Sequence, residues 1–165
     1  MDRDESISLH LFLSIVFLIL LLKVFNTSVP ESFISALFAC VSMPATYALS
    51  YYHAQAYRTG KFVIKKHPEP TRMWLYELIA LLTSFGMGFL VFVALSDGTT
   101  SDLPIYLSAF VTTQIMRLTL LFTVNQLRMA GVDVQHPLVV VLIALATSLL
   151  TLVSLRVIFS ASFLY

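Results

Sequence analysis

Five long runs of apolar residues, separated by short polar stretches, make up most of the chain. The runs are continuous, which disfavours a transmembrane β-barrel, because barrel strands alternate between apolar and polar positions. A helix needs about 20 apolar residues to cross about 30 Å of hydrocarbon, and each run is about that long. The predicted spans are residues 7–25, 31–57, 73–95, 103–127 and 137–163. The pattern therefore predicts an all-α fold: one transmembrane domain, residues 1–165, formed as a bundle of five transmembrane helices.

Helix-starting residues mark where two of these spans begin. Pro30 and Glu31 open the second span, and Asp102 and Pro104 open the fourth. Proline is favoured in the first turn of a helix, and an acidic side chain interacts favourably with the positive end of the helix dipole. These residues support the predicted boundaries.

Composition narrows the class of protein. Hydrophobic residues make up 58% of the 165 residues and charged residues 12%, whereas soluble domains carry about 25% charged residues. A soluble fold of this size buries too little of its chain to hide so much apolar surface. Ten basic and nine acidic residues give a formal net charge of +1, which argues against a nucleic-acid partner. The loops are too short for a soluble catalytic domain, and no nucleotide-binding motif is present.

Candidate ligands for metals and cofactors are sparse. Cys40 is the single cysteine, so neither an internal disulfide nor a zinc site is expected. His10 and His53 form the one pair of histidines on different spans at similar depth, which is a weak basis for haem ligation. The spans carry no aspartate and no serine–histidine pair at matched depth. We therefore predict no catalytic residue, no metal and no cofactor.

The distribution of basic residues predicts the orientation of the chain. The loop 58–72 is strongly basic, and its cations are Arg58, Lys61, Lys65, Lys66 and Arg72. Cytoplasmic loops of membrane proteins are enriched in lysine and arginine. Alternation of the spans then places the amino terminus in the cytoplasm and the carboxyl terminus outside. We expect the bacterial inner membrane as the location.

The fourth span carries the most polar residues. Gln114, Arg117, Asn125 and Arg128 recur at helical spacing, with Leu121 between them. Arg117 lies roughly 16 Å from the cytoplasmic end at 1.5 Å per residue, which predicts a position near mid-membrane. A charge there costs at least about 2.5–3.5 kcal/mol, so the side chain is expected to face the protein interior or water. It is either a structural cation or part of a ligand, anion or proton site.

Glu77 is the one acidic residue well inside a predicted span. We expect the third and fourth spans to be antiparallel neighbours because their connection is short. Glu77 and Arg117 then differ in depth by roughly 9 Å, a gap that an extended arginine nearly closes, with Gln114 or a water completing it. The other interpretation is that Glu77 faces the lipid headgroups or pairs with the basic loop.

Aromatic residues cluster at the predicted cytoplasmic ends of the second and third spans. An interfacial aromatic belt explains most of them. The alternative is a pocket open to the cytoplasm, formed by His53, Tyr57, Glu77 and Arg128.

Small residues and a proline predict close helix packing. Pro44 is expected to kink the second span, with Ser42 or Thr46 bonding the carbonyl that loses its partner. Gly86 and Gly88 in the third span allow another helix to approach closely.

Two functions compete, and an intramembrane enzyme is a weaker third. The first is a non-enzymatic integral membrane protein that acts as a subunit of a homo-oligomer or a larger membrane complex. The second is an oligomeric channel or transporter with a polar path along the fourth helix around Arg117. The basic loop determines topology, binds anionic lipids or docks an acidic cytosolic partner. The expected partners are therefore the bilayer, further copies of the chain or other membrane subunits.

Overall fold

The computed structural model describes residues 3–25, 29–59, 73–96 and 102–162, and the side chains within 7–25, 29–51, 74–96 and 102–157. Within these ranges the chain forms helices and no strand. The helices are α1 (Arg3–Val24), α2 (Glu31–Cys40), α3 (Met43–Thr59), α4 (Met73–Ser96), α5 (Leu103–Met129) and α6 (Pro137–Ser162).

Five helical segments of the described chain are long and apolar enough to cross a membrane. They are Ile7–Val24, Glu31–Tyr51, Trp74–Ser96, Leu103–Met129 and Pro137–Val157. The predicted all-helical fold with five candidate spans is confirmed, and length and composition indicate a membrane protein. The orientation of the termini stays a prediction.

The second span is interrupted, as Pro44 predicts. α2 ends at Cys40 and α3 begins at Met43, because a proline has no N–H to donate to the carbonyl four residues earlier. The Ser42 hydroxyl donates to the Ala39 carbonyl at 2.9 Å. Thr46 Oγ1 likewise donates to the Ser42 carbonyl at 2.9 Å. These hydroxyls therefore bond carbonyls beside the break. Neither of them bonds the Cys40 carbonyl, which is the one that loses its N–H partner because of Pro44.

One ion pair shows how the ends of the spans align. Lys23 Nζ at the end of α1 lies 2.8 Å from Glu31 Oε1 at the start of α2. We call this the outer end of the bundle, where α2 and α5 begin and α1, α4 and α6 end. The inner end is the opposite one, and the basic residues of loop 58–72 predict that it is cytoplasmic.

The second span lies centrally in the bundle. α2 packs against α1, α4 and α5, α3 packs mainly against α4, and α1 packs along α6. α4 and α5 make few contacts with each other. The third and fourth spans are neighbours over short stretches only, because each of them also packs against α2. A short connection holds two helix ends together and leaves the rest of their lengths free to diverge.

The contact between α4 and α5 centres on Tyr106. This residue is fully buried, and its hydroxyl donates to the Phe85 carbonyl at 2.9 Å. Its ring stacks on Phe92, with centroids 5.7 Å apart. A Cβ added to Gly88 would overlap the Tyr106 hydroxyl. Gly88 therefore permits the close approach of the two helices near their outer halves.

A glycine also ends α5. Gly131 has φ +80°, a conformation that side-chain-bearing residues rarely adopt. Its N–H bonds the Arg128 carbonyl at 3.1 Å, and the Val132 N–H bonds the Leu127 carbonyl at 3.0 Å. This pair of bonds is a Schellman motif, and it turns the chain back towards α6.

Candidate functional site

Arg117, Glu77 and Tyr47 meet from three different helices, and we call these three residues the Arg117 cluster. Arg117 Nη2 lies 2.9 Å from Glu77 Oε2 and donates to the Tyr47 hydroxyl at 2.6 Å. The Tyr47 hydroxyl in turn donates to Glu77 Oε2. The guanidinium carbon lies 4.1 Å from the centroid of the Tyr47 ring, within the range of a cation–π interaction. The cluster thus joins α3, α4 and α5.

The depth of the cluster follows from residue counts along the helices. Tyr47 is sixteen residues beyond the start of α2, or about 24 Å at 1.5 Å per residue. Arg117 is fourteen residues beyond the start of α5, or about 21 Å. If the outer helix ends mark the edge of about 30 Å of hydrocarbon, the cluster lies in the inner part of that layer. The count from the inner end of α5 gives about 18 Å, so the position of Arg117 near mid-membrane stays a prediction.

The unequal lengths of α4 and α5 on the inner side of the cluster bring Glu77 to the level of Arg117. Glu77 lies four residues after the start of α4, whereas α5 continues for twelve residues beyond Arg117. α5 therefore extends about 12 Å further towards the inner end than α4 does. The predicted offset between Glu77 and Arg117 therefore closes into direct contact.

The ion pair is only partly enclosed by the chain. The Arg117 side chain is 20% exposed and that of Glu77 is 38% exposed. Its bonds to other described side chains all run through Arg117 Nη2 and Glu77 Oε2. Nε and Nη1 of Arg117, and Oε1 of Glu77, make no bond to any residue in the described ranges. The pair therefore retains donor and acceptor atoms beside each other.

Other polar residues predicted for the site lie apart from the ion pair. Gln114 Nε2 is 3.3 Å from Met43 Sδ, so Gln114 does not bridge Arg117 to Glu77. Asn125 is half-buried two turns nearer the inner end, and Arg128 is exposed in the last turn of α5. The structure thus brings together Arg117 and Glu77, and it separates them from Gln114, Asn125 and Arg128.

Three serine and threonine hydroxyls along α5 are bonded within their own helix. Ser108 donates to the Ile105 carbonyl at 2.7 Å, Thr112 to the Ser108 carbonyl at 2.8 Å and Thr119 to the Ile115 carbonyl at 2.9 Å. Such bonds satisfy a hydroxyl without water or a neighbouring helix. The polar appearance of the fourth span in the sequence therefore overstates how many groups need an external partner.

A small aromatic cluster lies next to the Arg117 cluster, between α3 and α4. Tyr51 and Tyr76 meet edge to face with centroids 5.8 Å apart. Ala80 and Tyr47 pack against them, and this group is separate from the main hydrophobic core. The neighbouring aromatic residues support the position of the Tyr47 ring.

Several residues predicted for the site lie outside the described part of the chain. The side chains of His53, Tyr57 and Arg58 are not among those described, although all three belong to α3. The loop cations Lys61, Lys65, Lys66 and Arg72 also lie outside the described ranges. The predicted cytoplasmic pocket and the basic-loop surface therefore stay predictions.

Candidate metal and cofactor ligands do not converge in the described chain. His10 is fully buried in α1 and Cys40 is fully buried in α2. No group of three or more histidine, cysteine, aspartate or glutamate side chains among the described residues is placed to hold a metal ion.

Tyr47 is the member of the cluster that sequence reasoning missed. Its place in an aromatic-rich segment favoured an interfacial role. The signal in the sequence was its position one turn after Pro44. A proline kinks or breaks a helix, and the side chains that follow it then point in a different direction.

Comparisons with protein-family models, with curated proteins and with solved structures found no match to this chain. The assignment of a function therefore depends on the geometry of the chain itself.

Proposed function

We propose that this chain is a non-enzymatic integral membrane protein that acts as a subunit of a homo-oligomer or a larger membrane complex. The observation that carries the proposal is the environment of Gly86. No atom of the described chain lies within 4 Å of a Cβ built on this residue. Packing within the described part of the chain does not require a glycine at this position, in contrast to Gly88. A glycine on an outward face of a membrane helix lets a second helix approach closely.

The surroundings of Gly86 fit such a contact. Thr83, one turn earlier on α4, is exposed, and its hydroxyl donates to the Ile79 carbonyl at 2.8 Å. Leu82 and Leu90 are 61% and 63% exposed. A small residue between large ones forms a notch in the apolar surface, which favours helix–helix van der Waals contact in lipid. We call this surface of Leu82, Thr83, Gly86 and Leu90 the α4 notch.

The internal pairing of polar groups supports the same function. Arg117 has a counter-charge and a hydroxyl within the chain, and the α5 hydroxyls described above bond their own helix. A water-filled path is lined by groups that water satisfies. The three α5 hydroxyls and Arg117 Nη2 already have such partners within a single copy.

Cysteine cross-linking tests the α4 notch. Gly86→Cys is introduced together with Cys40→Ala, so that the new thiol is the only one. In native membranes a short thiol cross-linker is expected to give a product larger than the monomer. Leu150→Cys, exposed near the middle of α6, is the matched control and is expected to give little. Equal yields at both positions, or no product at Gly86, would overturn the proposal.

The alternative is an oligomeric channel or transporter with a polar path around Arg117. The exposures of Arg117 and Glu77, 20% and 38%, favour this alternative, because an oligomer that joined several such faces would place charged groups along one path.

Flux measurements in liposomes separate the two functions. As a subunit without transport activity, the wild-type protein and Arg117→Gln are both expected to show the ion and proton leak of empty liposomes. Wild-type flux that Arg117→Gln abolishes, with the oligomeric state unchanged, would establish the channel instead.

A further inference from the structure

The Arg117 cluster offers opposite charges side by side to a molecule outside the chain. Arg117 keeps Nε and Nη1 as donors, and Glu77 keeps Oε1 as an acceptor, with no bond to any described residue. Both side chains are partly exposed. We propose that this cluster binds the zwitterionic headgroup of a phosphoethanolamine lipid from the inner leaflet. The lipid phosphate accepts from Arg117, and its ammonium donates to Glu77.

Charge balance selects this class of lipid. The ion pair is formally neutral, and a zwitterionic headgroup adds no net charge while matching each of the two groups. An anionic headgroup would bring an unbalanced negative charge close to Glu77, which is unfavourable where the dielectric constant is low. A choline headgroup is zwitterionic too, but its quaternary nitrogen has no N–H. An ammonium with three N–H donors forms a charge-assisted hydrogen bond to a carboxylate.

The position of the cluster suits a headgroup. Glu77 is one turn, about 6 Å, from the start of α4. Trp74, one turn before Glu77, is 65% exposed, and tryptophan is enriched at the level of the headgroups. An arginine or a carboxylate slightly inside the hydrocarbon draws lipid polar groups and water towards itself, which lowers the cost of burying the charge.

The ring contacts between α4 and α5 lie away from the Arg117 cluster. The ring contacts that join these helices within the described ranges all involve residues 85–92 of α4 and 106–110 of α5, towards the outer end from the cluster. The two helices make few other contacts. The described ring contacts between these two helices therefore lie on the outer side of the ion pair and do not cover it.

The single tryptophan, Trp74, provides a direct readout. The full-length protein is reconstituted into phosphatidylcholine vesicles that contain a small fixed fraction of either brominated phosphatidylethanolamine or brominated phosphatidylcholine. Bromine quenches tryptophan fluorescence at short range. We expect relative binding about tenfold stronger for phosphatidylethanolamine, the size of one lost charge-assisted hydrogen bond. Equal quenching by the two lipids would overturn the proposal.

A lipid series keeps the test independent of mutation. Brominated phosphatidylethanolamine with one and then two N-methyl groups is expected to quench progressively less, because each methyl group removes one N–H. Stronger quenching by brominated phosphatidylglycerol than by phosphatidylethanolamine would also overturn the proposal, since it would indicate an anion site.

Two variants place the effect at the cluster. Glu77→Gln is expected to abolish the preference for phosphatidylethanolamine over phosphatidylcholine, because the carboxylate is removed while the shape is kept. Thr119→Val is the matched control on α5, because its hydroxyl bonds only the Ile115 carbonyl, and it is expected to retain the preference. A preference that survives in Glu77→Gln would contradict the assignment.

Discussion

The Arg117 guanidinium is the centre of a polar cluster that joins three helices. Arg117 is balanced by a carboxylate from α4, a hydroxyl from α3 and an aromatic ring. Such multiple pairing is what a charge within a membrane span requires, because each lost partner leaves a polar group in a poor solvent. Tyr47 has a particular role here, since its hydroxyl contacts both charged groups at once.

The Tyr47 hydroxyl is therefore expected to stabilise the fold measurably. Tyr47→Phe keeps the ring over the guanidinium but removes bonds to two charged partners. The free energy of unfolding should fall by about 1–3 kcal/mol, measured by reversible unfolding in bicelles. Thr119→Val removes a hydroxyl that bonds only its own helix and should change it by less than about 0.5 kcal/mol. Equal effects of the two changes would contradict the assigned role of Tyr47.

The sequence indicated Arg117 and Glu77 as site residues more strongly than Tyr47. Arg117 and Glu77 stand out because charged residues inside apolar runs are rare, and their pairing was one of the arrangements predicted. Tyr47 did not stand out, since tyrosines are common near membrane interfaces. Its contact depends on the break before α3 and on the relative depth of three helices, which no local pattern specifies.

At the scale of helices, the lengths of the apolar runs predicted the five spans well. They did not predict which helices pack together over most of their length. The five runs correspond to five helical spans, and Pro44 marks the break within the second. Which helices touch is decided by shape along their whole length. The buried Tyr106 against Gly88 and the ion pair between Arg117 and Glu77 join α4 to α5 at two levels, while α2 packs against both helices.

Alanine substitution at the two glycines of α4 tests this packing. Gly88→Ala should destabilise the protein by about 1–3 kcal/mol, because Tyr106 is fully buried and bonded to Phe85 and has little room to move. Gly86→Ala, two residues away, meets no described atom and should be neutral or stabilise by up to about 1 kcal/mol. Thermal unfolding in detergent measures both, and a neutral Gly88→Ala would show that the contact is not tight.

At the scale of the whole molecule, the distribution of basic residues makes an independent prediction of orientation. Loop 58–72 is expected in the cytoplasm and loop 96–102 outside. In a Cys40→Ala background, Lys61→Cys should be labelled by an impermeant thiol reagent only after the cytoplasmic face is opened. Thr100→Cys should be labelled in intact cells. The reverse pattern would invert the assignment of the inner and outer ends and place the proposed headgroup site in the other leaflet.

The ion pair between Glu77 and Arg117 is relevant at all three scales, because it neutralises a charge within a candidate span, joins α4 to α5 and sets the level of the proposed lipid site. A double-mutant cycle measures it most directly. Glu77→Gln, Arg117→Gln and the double variant are unfolded reversibly in bicelles, and their free energies are compared with the wild type. The two side chains are 20% and 38% exposed, so a coupling of about 1–2 kcal/mol is expected, between the values for surface and buried pairs. Additive effects, with no coupling, would contradict the account.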